Sequence, residues 1–311
     1  MNKQKLEAYR VQGSIHTLSV KSPNRVDGVQ ETVRECITTS TSTTKDGGEV
    51  TKAILNPNKL NGDVFSFSEF QTVVDTILAG AGIRDYQINR ADMRFDSYEP
   101  DHYERYAKLN RYLISALAVV YKVKNTYRTT NLFSDKQLSV AAKTDYWEIE
   151  NYDRSAKSEI TGNTAEPAKS RLEVRTVSRQ WSKINEKPGD NMDKLKTDMI
   201  DRWFSRWDKA IQNLPLVWQR YNDELEKIYN ADKEAYPKKF RSLTDFLIRY
   251  QGCIFCKAQL VDLLKRFPEV KNPEWRAINH KRRYGCEYFS EADVKAAVNE
   301  VKRATLEFFN K

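Results

Sequence analysis

The stretch RADMRFD at residues 90–96 decides the fold of this chain. Side chains alternate between the two faces of a β-strand. Ala91, Met93 and Phe95 therefore share one face, which we expect to pack on a hydrophobic core. The charged residues of the stretch share the opposite face. A strand that is apolar on one side and polar on the other is typical of an antiparallel sheet.

Further patterns extend this sheet and flank it with helices. Residues 32–43 and 49–55 surround an Asp46-Gly47-Gly48 turn and predict a hairpin. Apolar residues at helical spacing predict a helix over residues 66–79. The remaining predictions for this half are strands at residues 13–20, 86–96, 120–127, 137–143, 145–152 and 170–177 and a helix at residues 101–119.

The pattern becomes helical from residue 181 onward. It predicts a helical stretch over residues 192–231, broken at Pro215, and helices over residues 243–267 and 290–309. The expected fold class is therefore α+β. We expect an antiparallel-sheet domain with flanking helices at residues 1–180 and a mostly helical C-terminal region at residues 181–311.

The charge of the chain points to a polyanionic partner. The net charge is +9 and the sequence pI is about 9.2, so nucleic acid is the first partner to consider. Residues 181–311 carry 26 Lys and Arg against 20 Asp and Glu. This half, with its basic cluster Lys281, Arg282 and Arg283, is the better candidate for a duplex-binding surface.

Other sequence features indicate the compartment. Residues 1–9 lack the apolar stretch of a signal peptide, and the longest apolar run, at residues 113–120, is too short to span a bilayer. Four cysteines in 311 residues do not make a disulfide framework, so we expect a reducing cytoplasm and no membrane partner. Cys253-x-x-Cys256 with His280 and Cys286 has the residue types of a zinc site. Because Cys253 and Cys256 fall in an apolar helical run, we interpret them instead as buried free thiols.

Three strands carry residues suited to chemistry. Asp92 and Asp96 are carboxylates that suit a hard divalent cation, or alternatively Arg94 only neutralises them. Glu173 lies between Arg171 and Arg175, which suits either a site for metal and phosphate or a salt-bridge ladder. The third strand ends in a tyrosine, at position 152, which is either a nucleophile or an aromatic on a half-buried sheet.

Together these segments resemble the rolling-circle replication initiators of Gram-positive plasmids, the Rep_trans family, and related phage and conjugative-element initiators. Residues 54–60, ILNPNKL, resemble the family's strand ending in an Asn-Pro-Asn-Lys-Leu turn. Residues 88–96 are similar to its Arg-Leu-Asp-x-x-x-Asp strand, and residues 171–175 to its Arg-x-Glu strand. Residues 147–154 resemble the segment that ends in Ile-Tyr-Asn-Lys and holds the nucleophile. The resemblance covers roughly residues 50–180.

The resemblance implies a role for each matching position. Tyr152 is the implied nucleophile, with Lys143 and Arg154 as basic groups near the phosphate. The implied ligands of Mg²⁺ or Mn²⁺ are Asp92, Asp96 and Glu173, with Glu150 as a rival. The sequence departs from the family's pattern at three places, where it has Glu150 for a basic residue, Arg94 for a small one, and Tyr-Asp-Arg for Tyr-Asn-Lys.

The function implied is origin-specific DNA nicking and joining through a 5′-phosphotyrosine, which frees a 3′-OH to prime a polymerase. The expected DNA is an unpaired or hairpin nick site at a replication origin, contacted also by Arg171, Arg175 and the basic cluster. Host helicase and polymerase, a homodimer and a bacterial cytoplasm follow from the family. A conjugative relaxase and a non-catalytic DNA-binding replication regulator are the alternatives.

Overall fold

The computed structural model describes residues 10–26, 28–98, 103–123, 139–153, 170–235, 243–250, 253–284 and 288–311. In these residues seven strands form one antiparallel sheet in the order β2-β3-β1-β4-β7-β6-β5. The strands are β1 (Gln12–Ser22), β2 (Ile37–Thr43), β3 (Glu49–Leu55), β4 (Gln87–Ser97), β5 (Ser139–Lys143), β6 (Trp147–Asp153) and β7 (Ser170–Thr176). The α+β prediction is confirmed.

In the described residues, helices lie between the strands and, in greater number, after the last strand. A 3₁₀ helix spans Glu31–Cys36 and a π-helical turn spans Asp198–Arg202. The α-helices of the described residues are α1 (Asn58–Asn61), α2 (Phe67–Gly80), α3 (Tyr103–Val120), α4 (Ser178–Asn185), α5 (Asn191–Thr197), α6 (Trp203–Gln212), α7 (Leu214–Ala235), α8 (Leu243–Arg249), α9 (Lys257–Lys265), α10 (Pro273–Tyr284) and α11 (Glu291–Asn310). None of these helices combines the length and hydrophobicity needed to cross a bilayer.

Local sequence signals explain several boundaries. The hairpin of β2 and β3 turns at Gly47, whose φ of 85° favours glycine. The Ser66 hydroxyl caps α2 by accepting a hydrogen bond from the Glu69 amide at 3.3 Å. Ser290 and Asp293 form a reciprocal capping box that starts α11. These elements confirm the hairpin, the helix after residue 66 and the C-terminal helix.

One face of the sheet is the core face that alternation predicts. Ala91, Met93 and Phe95 are buried in a single hydrophobic cluster. Helix α3 packs across β5, β6 and β7, while α4 packs on β4 and α11 on β1. The helical C-terminal region therefore covers the same apolar face that the strands present.

Aromatic side chains connect that helical region to the sheet. The rings of Trp147 on β6 and Trp203 on α6 meet edge to face, with centroids 6.0 Å apart. The Trp203 indole also donates a hydrogen bond to the Thr176 hydroxyl at 3.2 Å. The buried rings add apolar contact area, and the hydrogen bond from the indole N–H fixes their orientation.

Three predictions differ from the structure. Residues 32–36 of the predicted hairpin strand belong to the 3₁₀ helix, and the strand begins at Ile37. Residues 243–267 form two helices rather than one, because the Gln259 side chain bonds to the Phe255 amide and the Cys253 carbonyl and so holds that segment out of a helix. Residues 120–123 are not a strand. Helix α3 runs to Val120 and ends in a turn at Lys122, whose φ is 48°; residues 124–127 lie outside the described residues.

Substitution of Gly13 by alanine tests the packing of α11 on β1. A Cβ at this position would lie 2.9 Å from the Ala304 carbonyl oxygen, which is fixed within α11. We expect Gly13→Ala to lower the free energy of unfolding by about 1–3 kcal/mol, measured by urea denaturation. Gly28→Ala is the control, since nothing lies within 4 Å of its added Cβ. Equal stability of the two variants would contradict this packing.

Candidate active site on the polar face of the sheet

The second face of the sheet is polar, and strand pairing brings its charges together. We call polar face the side of β4, β7 and β6 that carries Arg90, Asp92, Arg94, Asp96, Glu148, Glu150, Tyr152, Arg171, Glu173 and Arg175. Across β4 and β7, Asp92 pairs with Arg175, Arg94 with Glu173, and Asp96 with Arg171. Across β6 and β7, Glu148 faces Arg175, Glu150 faces Glu173, and Tyr152 faces Arg171. Oppositely charged residues thus stand opposite one another at four of these six positions.

Arg175 binds several carboxylates at once. It donates from Nη1 to Glu148 at 2.8 Å and from Nη2 to Glu150 at 2.9 Å. Nη2 also bonds to Glu173, and Nε lies 3.7 Å from Asp92 Oδ2. The guanidinium therefore holds Glu150 and Glu173 together, although these two like charges face each other across β6 and β7.

Two of the other arginines form bidentate pairs. Arg171 donates from Nε and Nη2 to the two oxygens of Asp96, at 2.6 and 2.8 Å. Arg90 grips Asp92 in the same way, at 2.7 and 2.5 Å. Arg94 bonds to Asp63, which lies in the loop between α1 and α2. Parallel N–H···O bonds of this kind fix geometry as well as charge.

These contacts join into one charge network, and the network is mostly buried. Its carboxylates are Asp63, Asp92, Asp96, Glu148, Glu150 and Glu173, and its cations are Arg90, Arg94, Lys143, Arg171 and Arg175. Arg94, Asp96, Arg171 and Glu173 are all at least 97% buried. The aspartates are therefore not on a solvated edge, and among the described residues the carboxylates of the network outnumber its arginine and lysine side chains by one.

Tyr152 lies within this network. Its phenol donates a hydrogen bond to Glu173 Oε1 at 2.7 Å, and the residue is 4% exposed. Burial, together with the negative charge of Glu173, raises the pKa of Tyr152 above its usual 10, which Arg171 only partly opposes. Glu173 is the opposite case. Burial favours its neutral form, but Arg175 and His16 outweigh burial and lower its pKa to about 2. The pair is thus a neutral phenol on an ionised acceptor.

The predicted basic groups are not both beside the tyrosine. Lys143 faces Glu148 and lies 3.8 Å from its carboxylate, whereas Ser139 faces Tyr152. Four residues of strand separate these positions, which is about 13 Å. Arg171 is the cation that stands opposite Tyr152. Arg154 lies outside the described residues.

The three predicted metal ligands do not converge on one point. Asp92 and Asp96 are four residues apart on β4, so their Cα atoms are separated by about 13 Å. A bound Mg²⁺ needs ligand oxygens at about 2.0–2.1 Å, which both aspartates cannot supply together. Each carboxylate is instead bound by arginines. Among the described residues no group of three His, Cys, Asp or Glu is arranged to hold a metal. The residues do not fit one three-carboxylate site.

A bulge adds His16, a residue that the sequence patterns did not single out. The pairing of β1 with β4 shifts between Ile15 and Thr17, and His16 is the extra residue. His16 Nδ1 lies 3.5 Å from Asn58 Nδ2, in the Asn-Pro-Asn-Lys-Leu segment, and its charge acts on Glu173. Bulges commonly re-aim a side chain next to a site. Alternation alone does not reveal a bulge, so this placement needed the structure.

Tyr98 is a second tyrosine close to the network. Burial, followed by the charges of Asp96 and Asp63, raises the pKa of Tyr98 to about 12. Tyr98 is two residues beyond Asp96, and alternate residues of a strand share one face. Extending the alternation of β4 by one residue past its end would therefore have predicted Tyr98 on the polar face.

The basic cluster lies on a different element. Lys281, Arg282 and Arg283 are exposed in the last turn of α10, which packs against α9. Two large apolar side chains of the same helix, Trp275 and Ile278, are also exposed. This helix therefore presents a basic surface with an aromatic residue to solvent.

The cysteines behave as expected from burial. Cys253 and Cys256 are free and buried, as predicted, but Cys256 caps α9 rather than lying inside a helix. His280 is buried and hydrogen-bonds to the Tyr288 hydroxyl at 3.2 Å. Cys286 lies outside the described residues.

Comparisons with known proteins show a distant likeness in structure. No family model matches the chain, and no curated protein matches it. Among solved structures, the chain is similar to a rolling-circle replication initiator protein from Geobacillus stearothermophilus, with 8% sequence identity. The match covers 57% of this chain and 78% of that chain, with a TM-score of 0.26. A likeness this distant carries no argument about function.

Replacement of Arg175 tests whether the network stabilises the fold. Arg175→Met leaves four neighbouring carboxylates without their shared cation, so we expect the free energy of unfolding to fall by about 3–5 kcal/mol. The control is Arg179→Met, which removes an arginine whose ion pair with Asp145 is exposed. That change should cost about 0–1 kcal/mol. Denaturation of both variants decides the matter, and similar losses would show that Arg175 has no special role.

Proposed function

We propose that this chain nicks and rejoins one strand of DNA at a replication origin, with Tyr152 as the nucleophile. The observation that carries the proposal is the 2.7 Å hydrogen bond from the Tyr152 phenol to Glu173, beside the guanidinium of Arg171. A phenol with a proton acceptor in contact and a cation next to it has the parts of an activated nucleophile.

The proposed step uses groups that already touch. The phenolic oxygen of Tyr152 forms a bond to phosphorus while its proton passes to Glu173. The bond from phosphorus to the 3′ oxygen breaks, and that oxygen takes a proton from water. The products are a 5′-phosphotyrosine and a free 3′-OH, and the reverse reaction rejoins the strand. Because the link conserves a phosphodiester bond, one site performs both reactions.

The protonation state of Tyr152 determines which charge the site must stabilise during this step. The raised pKa of Tyr152 keeps the phenol neutral at pH 7, so attack needs the negative charge that develops on phosphate to be stabilised. Arg171 and Arg175 are the cations placed for that role, and binding substrate requires them to exchange carboxylate partners for phosphate. Dependence on Mg²⁺ or Mn²⁺ is part of the proposal and comes from the sequence. We assign no ligand set to the ion.

The other parts of the proposal also come from the sequence. Residues 1–180 would nick and join, and residues 181–311 would bind duplex DNA or dimerise. Host helicase and polymerase, and a cytoplasmic location, belong to the same proposal. A conjugative relaxase uses the same chemistry at a transfer origin and differs only in the DNA that it recognises.

One observation favours a second function, a DNA-binding regulator without catalysis. Tyr152 is 4% exposed, and every carboxylate near it is ion-paired, which is also what a structural brace requires. The two functions differ in outcome, since a regulator binds supercoiled plasmid and never relaxes it.

Removal of the phenolic oxygen tests the nucleophile. We expect Tyr152→Phe to lower the relaxation of origin-bearing supercoiled plasmid by about 10³-fold or more, assayed with and without Mn²⁺. Tyr146→Phe is the matched control, because Tyr146 lies just before the same strand and its ring contacts Arg179 and Lys183 at the surface. Retained nicking by Tyr152→Phe would refute the assignment, and failure of wild type to nick would favour the regulator.

Neutralising the basic cluster of α10 tests duplex binding. Replacing residues 281–283 by alanine should weaken binding to origin duplex and lower the slope of log K against log salt by about 2–3. Nicking of a single-stranded oligonucleotide should survive. The control removes equal charge from the hairpin side of the sheet at Lys21, Lys45 and Lys52, all exposed. Equal effects of the two triple variants would mean that net charge, not this helix, drives binding.

A further inference from the structure

Arg94 is a deeply buried cation that reaches outside the sheet for its partner. It is 1% exposed at the centre of β4, and its Nη2 donates to Asp63 in the loop before α2. Its Nε lies 3.3 Å from Asp96 Oδ2. Within the described residues, no atom accepts a hydrogen bond from that Nε. A buried guanidinium with an unfilled donor points to a further anionic partner.

Asp63 differs from the other carboxylates of the network. Its side chain is 38% exposed, against 22% or less for the five on the sheet. It follows Gly62, whose φ is 86°, and precedes Val64, whose amide donates to the Asn58 side chain at 3.1 Å. A turn therefore holds Asp63 at the solvent-exposed edge of the network. Because Asp63 is in a loop, its side chain can leave Arg94 without disturbing any strand.

The place that Asp63 occupies suits a phosphodiester. Carboxylate and phosphate accept the same forked hydrogen bonds from a guanidinium. Each carries one negative charge here, so exchanging one for the other leaves the buried Arg94 neutralised. Arg94 also stands directly opposite Glu173, the residue that accepts the Tyr152 hydrogen bond. An anion on Arg94 would thus lie beside the proposed nucleophile.

An aromatic residue follows on the same side of the sheet. Tyr98 comes two residues after Asp96, so the alternation of β4, continued past Ser97, directs it to the side of Arg94 and Asp96. Tyr98 is half-buried and close enough to Asp63, Asp96 and Arg94 for their charges to act on its phenol. Aromatic rings beside a cation are the usual platform for unpaired bases, because every base has a face that can stack. The combination suits a nucleotide of a single strand rather than inorganic phosphate alone.

We infer that Arg94 and Tyr98 form a binding subsite for a nucleotide of single-stranded DNA, and that Asp63 fills its phosphate position in the free protein as a displaceable anion. The inference rests on the proposed function in that the bound strand is the one that Tyr152 attacks. Asp63 then competes with the substrate, and its removal strengthens binding.

The test measures binding of a fluorescent single-stranded oligonucleotide by anisotropy, in a chelator so that no cleavage occurs. Asp63→Asn should bind about tenfold more tightly than wild type, the fold-change of one charge-assisted hydrogen bond. Asp63→Glu keeps the competing charge and should bind like wild type. Asp145→Asn removes the same charge from an exposed ion pair outside the network and should change binding less than about twofold.

A double substitution separates the subsite from a general charge effect. In an Arg94→Gln background, Asp63→Asn should no longer tighten binding, because the anion has no guanidinium to release. Tightening that persists in that background, or that Asp145→Asn reproduces, overturns the inference. Circular dichroism establishes that each variant is folded. Where Arg94→Gln is not, Arg94→Lys replaces it, and in that background Asp63→Asn should tighten binding by less than in wild type, because the ammonium lacks the guanidinium fork.

Failure of the proposed function gives a different result. A protein that binds the oligonucleotide as predicted but never nicks plasmid retains the subsite and loses the catalytic role of Tyr152. If Tyr152 nicks plasmid but Asp63→Asn does not change oligonucleotide binding, the proposed function stands and the subsite does not.

Discussion

The structure depends on a constraint that buried charge imposes. Each buried guanidinium must stay ion-paired with carboxylates, because an unpaired buried charge strongly destabilises the fold. Arg175 meets this requirement for four acids and Arg171 for Asp96, and these contacts run across β4, β7 and β6. A slip of one residue between two strands would turn half of these side chains to the apolar face. The ion pairs therefore fix the register of the strands that also carry Tyr152.

Alternation in the sequence was enough to predict the sheet and the sharing of one face by Asp92, Asp96, Glu173 and Tyr152. It was not enough to predict that this face is buried, because burial depends on what packs over a strand. The bulge at His16 and the approach of Asp63 from a loop are long-range features of the same kind. The register of β5 and β6, which sets Lys143 opposite Glu148 and Ser139 opposite Tyr152, cannot be read from either strand alone.

The helical half shows the same division between local and tertiary information. Local signals predicted correctly that helices start near Ser66 and Ser290 and that the helical stretch breaks near Pro215. The interruption between α8 and α9 depends on a buried glutamine side chain, at position 259, that replaces helical hydrogen bonds. Apolar periodicity continues through such an interruption and therefore predicts a single helix.

The central claim is that Tyr152 bonds covalently to DNA, and mass spectrometry of the trapped adduct tests it most directly. The protein would be incubated with a suicide oligonucleotide, digested with protease and nuclease, and the modified peptide sequenced. The account predicts a 5′-phosphorylated nucleotide on Tyr152. A nucleotide on Tyr98 or another tyrosine, or the absence of any adduct from protein that nicks, would contradict it.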